Sequence, residues 1–278
     1  MRITLLEQVL IFTAFLVRYV GSTTICGICC IDGVVLGADS RATGGDLVRD
    51  KNKLKIHELS PNLECCVAGS VADCEQITRN VKRLLQDVRI ECELSAESHY
   101  LNSAFYVKSH ILGAFMGGAH GRSIDSAMIL GGVDSTGPSL HQITGSGAQR
   151  ASCCALGSGR IDALSSLEAY RRVWGPPIEK PLSDSETNSL IENVSVEEAV
   201  QVIREAIKSG VMNDLGSGSF IDICVIKDGG EVRKWREDAQ SGKEVDVPNR
   251  ASSTLESAKD ERKERSSSTS TPIIIKSL

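Results

Sequence analysis

The sequence carries no excess of positive charge: 31 Lys and Arg stand against 36 Asp and Glu, for a formal net charge of -5. A protein held to nucleic acid by phosphate contacts needs the opposite balance, so no nucleic-acid partner is expected. It also has no uninterrupted apolar run of the ~18 residues that a membrane helix requires. The most apolar stretch, Ile3 to Val20, is broken by Glu7, Gln8 and Arg18. No membrane partner is expected. Metal-ligand spacing is incomplete, because Cys26 and Cys29 have knuckle spacing that no second cysteine pair repeats. Neither a metal nor a cofactor is expected, and no internal repeat is found.

What the chain does have is ordinary globular composition, 41% hydrophobic and 24% charged over 278 residues. Once an apolar leader and a polar tail are set aside, that suits one domain of about 200 residues with its own core. The ten cysteines are too diluted for a disulfide scaffold. Six of them form the doublets Cys29-Cys30, Cys65-Cys66 and Cys153-Cys154 on apolar runs. Neighbours on a strand point to opposite faces, so a doublet cannot aim both sulfurs at one ion. Buried, reduced thiols are expected.

Residues 1–22 are the leader. Arg2 ahead of an apolar stretch and the small residues of Val20-Gly21-Ser22 fit a signal peptide. They also fit a propeptide that caps Thr23, and only the downstream sequence can decide between the two. Either cut makes Thr23 the first residue, with a hydroxyl and a free α-amine side by side, a nucleophile and its base.

Thr23 to Ile31 is β-prone, Asp32-Gly33 is a hairpin turn signal, and Val34 to Ala38 resumes the strand. Asp39 closes that second strand, so antiparallel pairing brings it near the start of the first. Arg41 to Asn52 reads as a polar loop. Lys53 to Leu59 and Leu63 to Ala68 read as a strand pair, with Lys55 in the third strand and Gly69 ending the fourth. A helical pattern follows from about Ser70 to Cys92, with Ile77, Val81, Leu84, Leu85 and Val88 at helical spacing. The strand-to-helix junction at Gly69 offers a backbone N–H to an anion. A second helix is expected over about Ala96 to Phe115, and strands at Ala127 to Val133, Leu140 to Ile143 and near Cys153 to Leu156. The loop Gly157-Ser158-Gly159 precedes a helix from about Ile161 to Val173.

Trp174 to Asn193 carries three prolines and reads as an exposed insertion. Ser195 with Glu198 forms a capping box for a helix to Ser209. A last strand runs from Ile221 to Ile226, and residues 236–278 are expected as a flexible arm. Strand hairpins segregated from helices predict two packed sheets with helices outside.

Thr23, Asp39 and Lys55 taken alone also fit a surface threonine beside a structural ion pair. The ordered set is more specific. Thr23-Thr24-Ile25, Gly37-Ala38-Asp39-Ser40-Arg41-Ala42-Thr43, Asp50-Lys51-Asn52 with Lys55-Ile56-His57, Ala68-Gly69, Leu130-Gly131-Gly132-Val133-Asp134, Gly157-Ser158-Gly159 and Asn213-Asp214-Leu215-Gly216-Ser217-Gly218-Ser219 closely resemble the proteasome beta subunits, from Thr23 to about Trp235. His57, Cys65-Cys66, Glu75, the run ending at Pro138 and the long C-terminal tail make it most similar to the trypsin-like, type-two members.

The resemblance implies an α+β fold, the four-layer αββα sandwich of N-terminal-nucleophile hydrolases built on two antiparallel sheets, over residues 23–235. It implies a threonine endopeptidase of the 20S core, a zymogen until the leader is removed. Thr23 is then the nucleophile, Lys55 lowers its pKa, Asp39 holds Lys55, and the Gly69 N–H binds the oxyanion. Ser158, Asp214 and Ser217 orient the amine. Thr43 pairs with substrate, and Ala42, Lys53, His57, Val67, Val71 and Glu75 surround the pocket for the residue before the cut. Glu75 would attract a basic side chain. Implied partners are other beta subunits in a seven-membered ring, the alpha ring and unfolded polypeptides, in cytoplasm and nucleus. Three positions depart from the family: Val67 replaces a usual glycine, Lys53 a usual cysteine, and Ser22 the usual glycine before the nucleophile. The alternative is a structural ring subunit that never exposes Thr23. A secreted hydrolase rests on the leader only.

Overall fold

The computed structural model describes residues 22–44, 47–95, 126–134, 137–145, 147–174 and 194–246. The expected helix at 96–115, the insertion to 193 and nearly all of the leader and arm lie outside those residues.

β1 (Thr24–Cys30) and β2 (Gly33–Asp39) form the expected hairpin, closing around Ile31-Asp32. They lie in a six-stranded antiparallel sheet ordered β10-β1-β2-β11-β12-β13, with β10 at Cys153–Gly157, β11 at Phe220–Lys227, β12 at Val232–Asp238 and β13 at Glu244–Val245. A second, five-stranded antiparallel sheet runs in sequence order: β5 (Ile56–Ser60), β6 (Leu63–Gly69), β7 (Ser126–Asp134), β8 (Gly137–Thr144) and β9 (Gly147–Arg150). β3 (Ala42–Gly44) and β4 (Leu47–Asp50) make a separate ribbon.

Three apolar layers alternate with these sheets. Ile25, Leu36, Cys66, Ile129 and Leu140 fill the space between the two sheets. Met128, Leu130 and Cys65 face α1 (Val71–Ser95), which contributes Cys74, Ile77, Val81 and Leu85. On the far side, Cys26, Ile28, Val35 and Ile223 meet α2 (Arg160–Trp174) and α3 (Val196–Asn213). The order is helix, sheet, sheet, helix, an α+β sandwich of two antiparallel sheets. Every residue of β1 and β2 is buried, because both faces of their sheet are covered, and this is why their sequence lacks polar alternation.

The cysteine doublets split between layers: Cys29 faces the other sheet and Cys30 the helices, while Cys66 and Cys65 divide between the intersheet core and the α1 side. Cys154 and Cys153 divide in the same way. Ser195 caps α3 with the reciprocal Glu198 bond, and Val196, Ala199, Val202, Ile203, Ala206, Ile207 and Gly210 form its buried stripe.

Three sequence readings are corrected. The polar loop from Arg41 to Asn52 contains the β3–β4 ribbon, whose strands are short and partly exposed and so carry no burial pattern. Lys55 stands just ahead of β5 instead of within it. β9 is an addition, since residues 147–150 had no assignment from the sequence. The arm begins later than Arg236: β12 continues to Asp238, β13 follows, and the first compact unit runs to Val245. Arg236 is only 1% exposed because Asp222 of β11 binds its guanidinium at 2.6 and 2.8 Å.

Candidate active site

Thr23 immediately precedes β1, at the mouth of the sandwich, and its side chain is nearly buried. The β1–β2 register sets Ile25 opposite Ala38, so Asp39 arrives beside Thr24, whose amide donates to Asp39 Oδ1 at 2.9 Å. Asp39 is fully buried and accepts four bonds. Lys55 Nζ reaches Oδ1 at 2.6 Å, while the amides of Arg41 and Gly218 reach Oδ2 at 3.1 and 2.9 Å. Lys55 Nζ also donates to Thr23 Oγ1 at 2.8 Å. The Thr23 hydroxyl in turn donates to the Ser22 carbonyl at 2.6 Å.

Burial pulls the pKa of Lys55 below the ordinary lysine value, while the Asp39 carboxylate opposes that pull by pairing with the ammonium. The ammonium therefore sits in a dry site next to the Thr23 hydroxyl oxygen. There it favours the anionic form of that oxygen.

On the other side of Thr23, its backbone N donates to Ser158 Oγ at 2.9 Å. With the Ser22–Thr23 bond intact this nitrogen is an amide; once the bond is cut the same atom becomes the α-amine. Ser158 Oγ donates to Asp214 Oδ2, and Ser217 Oγ donates to the same oxygen at 2.6 Å. The single Ser217 hydroxyl proton is thus committed to a carboxylate. The 2.7 Å contact between Thr24 Oγ1 and Ser217 Oγ then has Thr24 as donor. Asp214 is placed by the end of α3, where its amide closes the last turn on the Gly210 carbonyl at 2.8 Å.

Gly157, at φ +96°, lies so close to Thr23 that a Cβ there would come within 2.0 Å of the Thr23 carbonyl oxygen. Only glycine combines that backbone with that approach.

The cleft at Thr23 is lined by Thr23, Lys55 and Gly69 together with Ala42, Thr43, Lys53, His57, Val67, Val71 and Glu75. All of the expected pocket positions therefore converge on one cleft, while Asp39, Ser158, Asp214 and Ser217 stand behind Thr23 and Lys55. Gly69 closes β6 directly ahead of α1. Lys53 Nζ is hydrogen-bonded to Glu75 Oε1, and this bond holds the Glu75 carboxyl below its usual range. Burial, with Lys53 adding to it, pulls the His57 pKa down to about 4, so the ring is neutral near pH 7. Its Nε2 is buried without a hydrogen-bond partner.

Three contributors were not singled out from the sequence. Arg41 crosses the loop after α3, donating from Nη1 to the Leu215 carbonyl at 3.0 Å and packing against Gly218. The Thr24 hydroxyl extends the Asp214 network. The buried pair of Asp222 and Arg236 is the third. Burial raises the Asp222 pKa, with the guanidinium opposing, and the charges of both Asp39 and Lys55 are felt there. Arg41 and Thr24 adjoin residues that were singled out, and that adjacency was the available signal. Asp222 and Arg236 gave none, since their pairing depends on the β11–β12 register.

Two antiparallel sheets between helical layers, with a lysine and an aspartate gathered on a threonine at the start of the first strand, define the class of N-terminal-nucleophile hydrolase folds. The family model for the proteasome subunit matches residues 20–175, and the chain belongs to that family, among its beta subunits. It is 38% identical over 208 residues to proteasome subunit beta type-7-B of Arabidopsis thaliana, covering 74% of this chain and 66% of that protein. It is 34% identical over 206 residues to the probable proteasome subunit beta type-2 of Encephalitozoon cuniculi, covering 73% of this chain and 78% of that protein. Proteasome subunit beta type-10 of Bos taurus is 34% identical over 209 residues, 73% of this chain and 65% of its own length. Among the described residues no helix is long and apolar enough to cross a membrane.

Proposed function

We propose that this chain is a threonine endopeptidase, a catalytic beta subunit of the 20S core, and that Thr23 is its nucleophile. The observation that carries the reading is the buried relay in which Asp39 holds Lys55 and Lys55 holds the Thr23 hydroxyl.

Activation comes first. Thr23 Oγ attacks the Ser22 carbonyl carbon, the C–N bond breaks, and the Thr23 nitrogen takes up a proton to leave as an amine. The resulting ester is hydrolysed by water, which releases the leader as a carboxylate and restores the hydroxyl. In the mature chain the α-amine, with a pKa near 8, accepts the proton from Thr23 Oγ as it attacks a substrate carbonyl. Lys55 stabilises the developing alkoxide. The Gly69 N–H is assigned to the oxyanion, a contribution of about 3 kcal/mol. Collapse expels the amine product, which takes the proton from the α-ammonium, and water hydrolyses the acyl-threonine ester. Ser158, held by Asp214, orients the amine, and Ser217 braces Asp214.

Substrate pairs as an added strand along Thr43. Glu75 is the pocket group that would draw Lys or Arg, the trypsin-like preference. The partners are other beta subunits in a seven-membered ring, the alpha ring and unfolded polypeptides, and the location is cytoplasm and nucleus.

The test is the intact mass of the chain from assembled particles. A mature chain beginning at Thr23, with peptide cleavage lost in Thr23→Ala particles, is the expected result. A retained leader would make the chain a structural ring subunit.

A further inference from the structure

The cleft beside Thr23 holds one acidic group, Glu75, and that group already has a cation. Lys53 binds it from within the same cleft. The main chain of Lys53 is fixed by its amide, which donates to the Ser40 carbonyl at 2.9 Å. Lys53 and Lys55 both line the cleft. Among the other ionisable lining groups His57 is neutral, Lys55 is matched by Asp39 and Arg41 is turned to the Leu215 carbonyl, so within the cleft the charge of Glu75 is matched by Lys53. Both partners keep contact with water, at 21% and 43% side-chain exposure, so the pair can open without stranding a charge in the core.

We propose that Lys53 is a specificity-determining residue: it serves Glu75 as a resident counter-ion that a basic substrate side chain must displace. This rests on the endopeptidase reading of the same cleft. An arriving Arg or Lys exchanges one ammonium–carboxylate contact for another and gains little from charge. A neutral side chain packs on Val67, which is nearly buried, and leaves the ion pair intact. The preference for basic over neutral residues is therefore muted in the native chain. The acidic group that would create that preference is present but engaged.

The experiment uses assembled particles carrying the full chain and fluorogenic peptides ending in Arg or Leu, with Thr23→Ala particles as the background. Lys53→Met keeps side-chain length and removes the charge. It is expected to raise the Arg-to-Leu ratio of kcat/KM by about tenfold or more, mainly through KM for the Arg peptide. Glu75→Gln leaves Lys53 unpaired and is expected to lower the ratio below that of the native chain. The double variant should return it close to native. A ratio that stays within about twofold of native in Lys53→Met overturns the proposal.

A binding measurement separates this from the reading on which it rests. Affinity of an Arg-ending peptide amide for Thr23→Ala particles, with and without Lys53→Met, needs no turnover. Tighter binding with Lys53→Met supports the resident counter-ion even where no chemistry occurs, and unchanged binding refutes it. Absence of Thr23-dependent cleavage in native particles with the leader removed defeats the endopeptidase reading instead.

Discussion

Asp39 uses both carboxylate oxygens, one for Lys55 and the Thr24 amide, the other for the amides of Arg41 and Gly218. Removing its charge leaves a lysine buried without a counter-ion, which typically costs about 3–5 kcal/mol. Asp39→Asn is therefore expected to lower stability by roughly that amount in denaturant titration, and to abolish Thr23-dependent cleavage. The proposed leader release turns on the same residue scale. A Cβ at Gly216 would come within 2.3 Å of the Ser22 Cβ, so the bare backbone of Gly216 accommodates the Ser22 side chain. Gly216→Ala is expected to slow leader removal, read by intact mass, and Ser22→Gly in the same chain to restore it. Thr23, Asp39 and Lys55 were legible in the sequence because hairpin geometry and family motifs converge on them. The engagement of Glu75 by Lys53 was not, since no spacing rule says which way a cleft lysine turns.

At the scale of the element, α3 connects a cap at one end to the candidate active site at the other. Ser195 begins the helix and Asp214 ends it, so anything that frays the first turn loosens the stripe that holds Asp214 under Ser158. Ser195→Ala is expected to cost about 1 kcal/mol, read as a lower unfolding midpoint, with a smaller fractional loss of cleavage than Asp214→Ala. The capping box was readable because its chemistry is local: a serine, a glutamate three residues on, and an apolar stripe. The hairpin β1–β2 was readable for the same reason. The β3–β4 ribbon, β9 and β13 escaped because they are short and lie near sheet edges or outside the main sheets. There, pairing with a neighbour decides conformation and alternation does not.

At the scale of the whole molecule the two sheets are joined by a charge as well as by apolar packing. Glu64 of β6 is 1% exposed and meets Lys234 of β12 at 2.6 Å. Burial outweighs the lysine and raises the Glu64 pKa to about 7. A carboxyl with a raised folded-state pKa binds its proton more tightly folded than unfolded. Its contribution is complete below the unfolded value near 4.5 and is lost as pH rises through about 7. Stability measured across that window is expected to fall with rising pH, and Glu64→Gln to flatten the slope. The layer order itself could be anticipated, because runs of strands set apart from helical stretches leave few packings. The bridge between the sheets could not, because it depends on how two separate sheets are aligned.

The cysteine doublets give the same architecture an internal clock. Cys65 lies on the α1 side of its sheet and Cys66, one residue on, in the intersheet core, while Cys30 lies under the α2 and α3 layer. Burial pushes all three thiols up, out of reach of alkylating reagents while the layers stay closed. Each therefore becomes labelled only when its own layer opens. A timed pulse of alkylation followed by peptide mass mapping would record the order in which the sandwich comes apart, with neighbouring residues reporting on opposite sides of one strand.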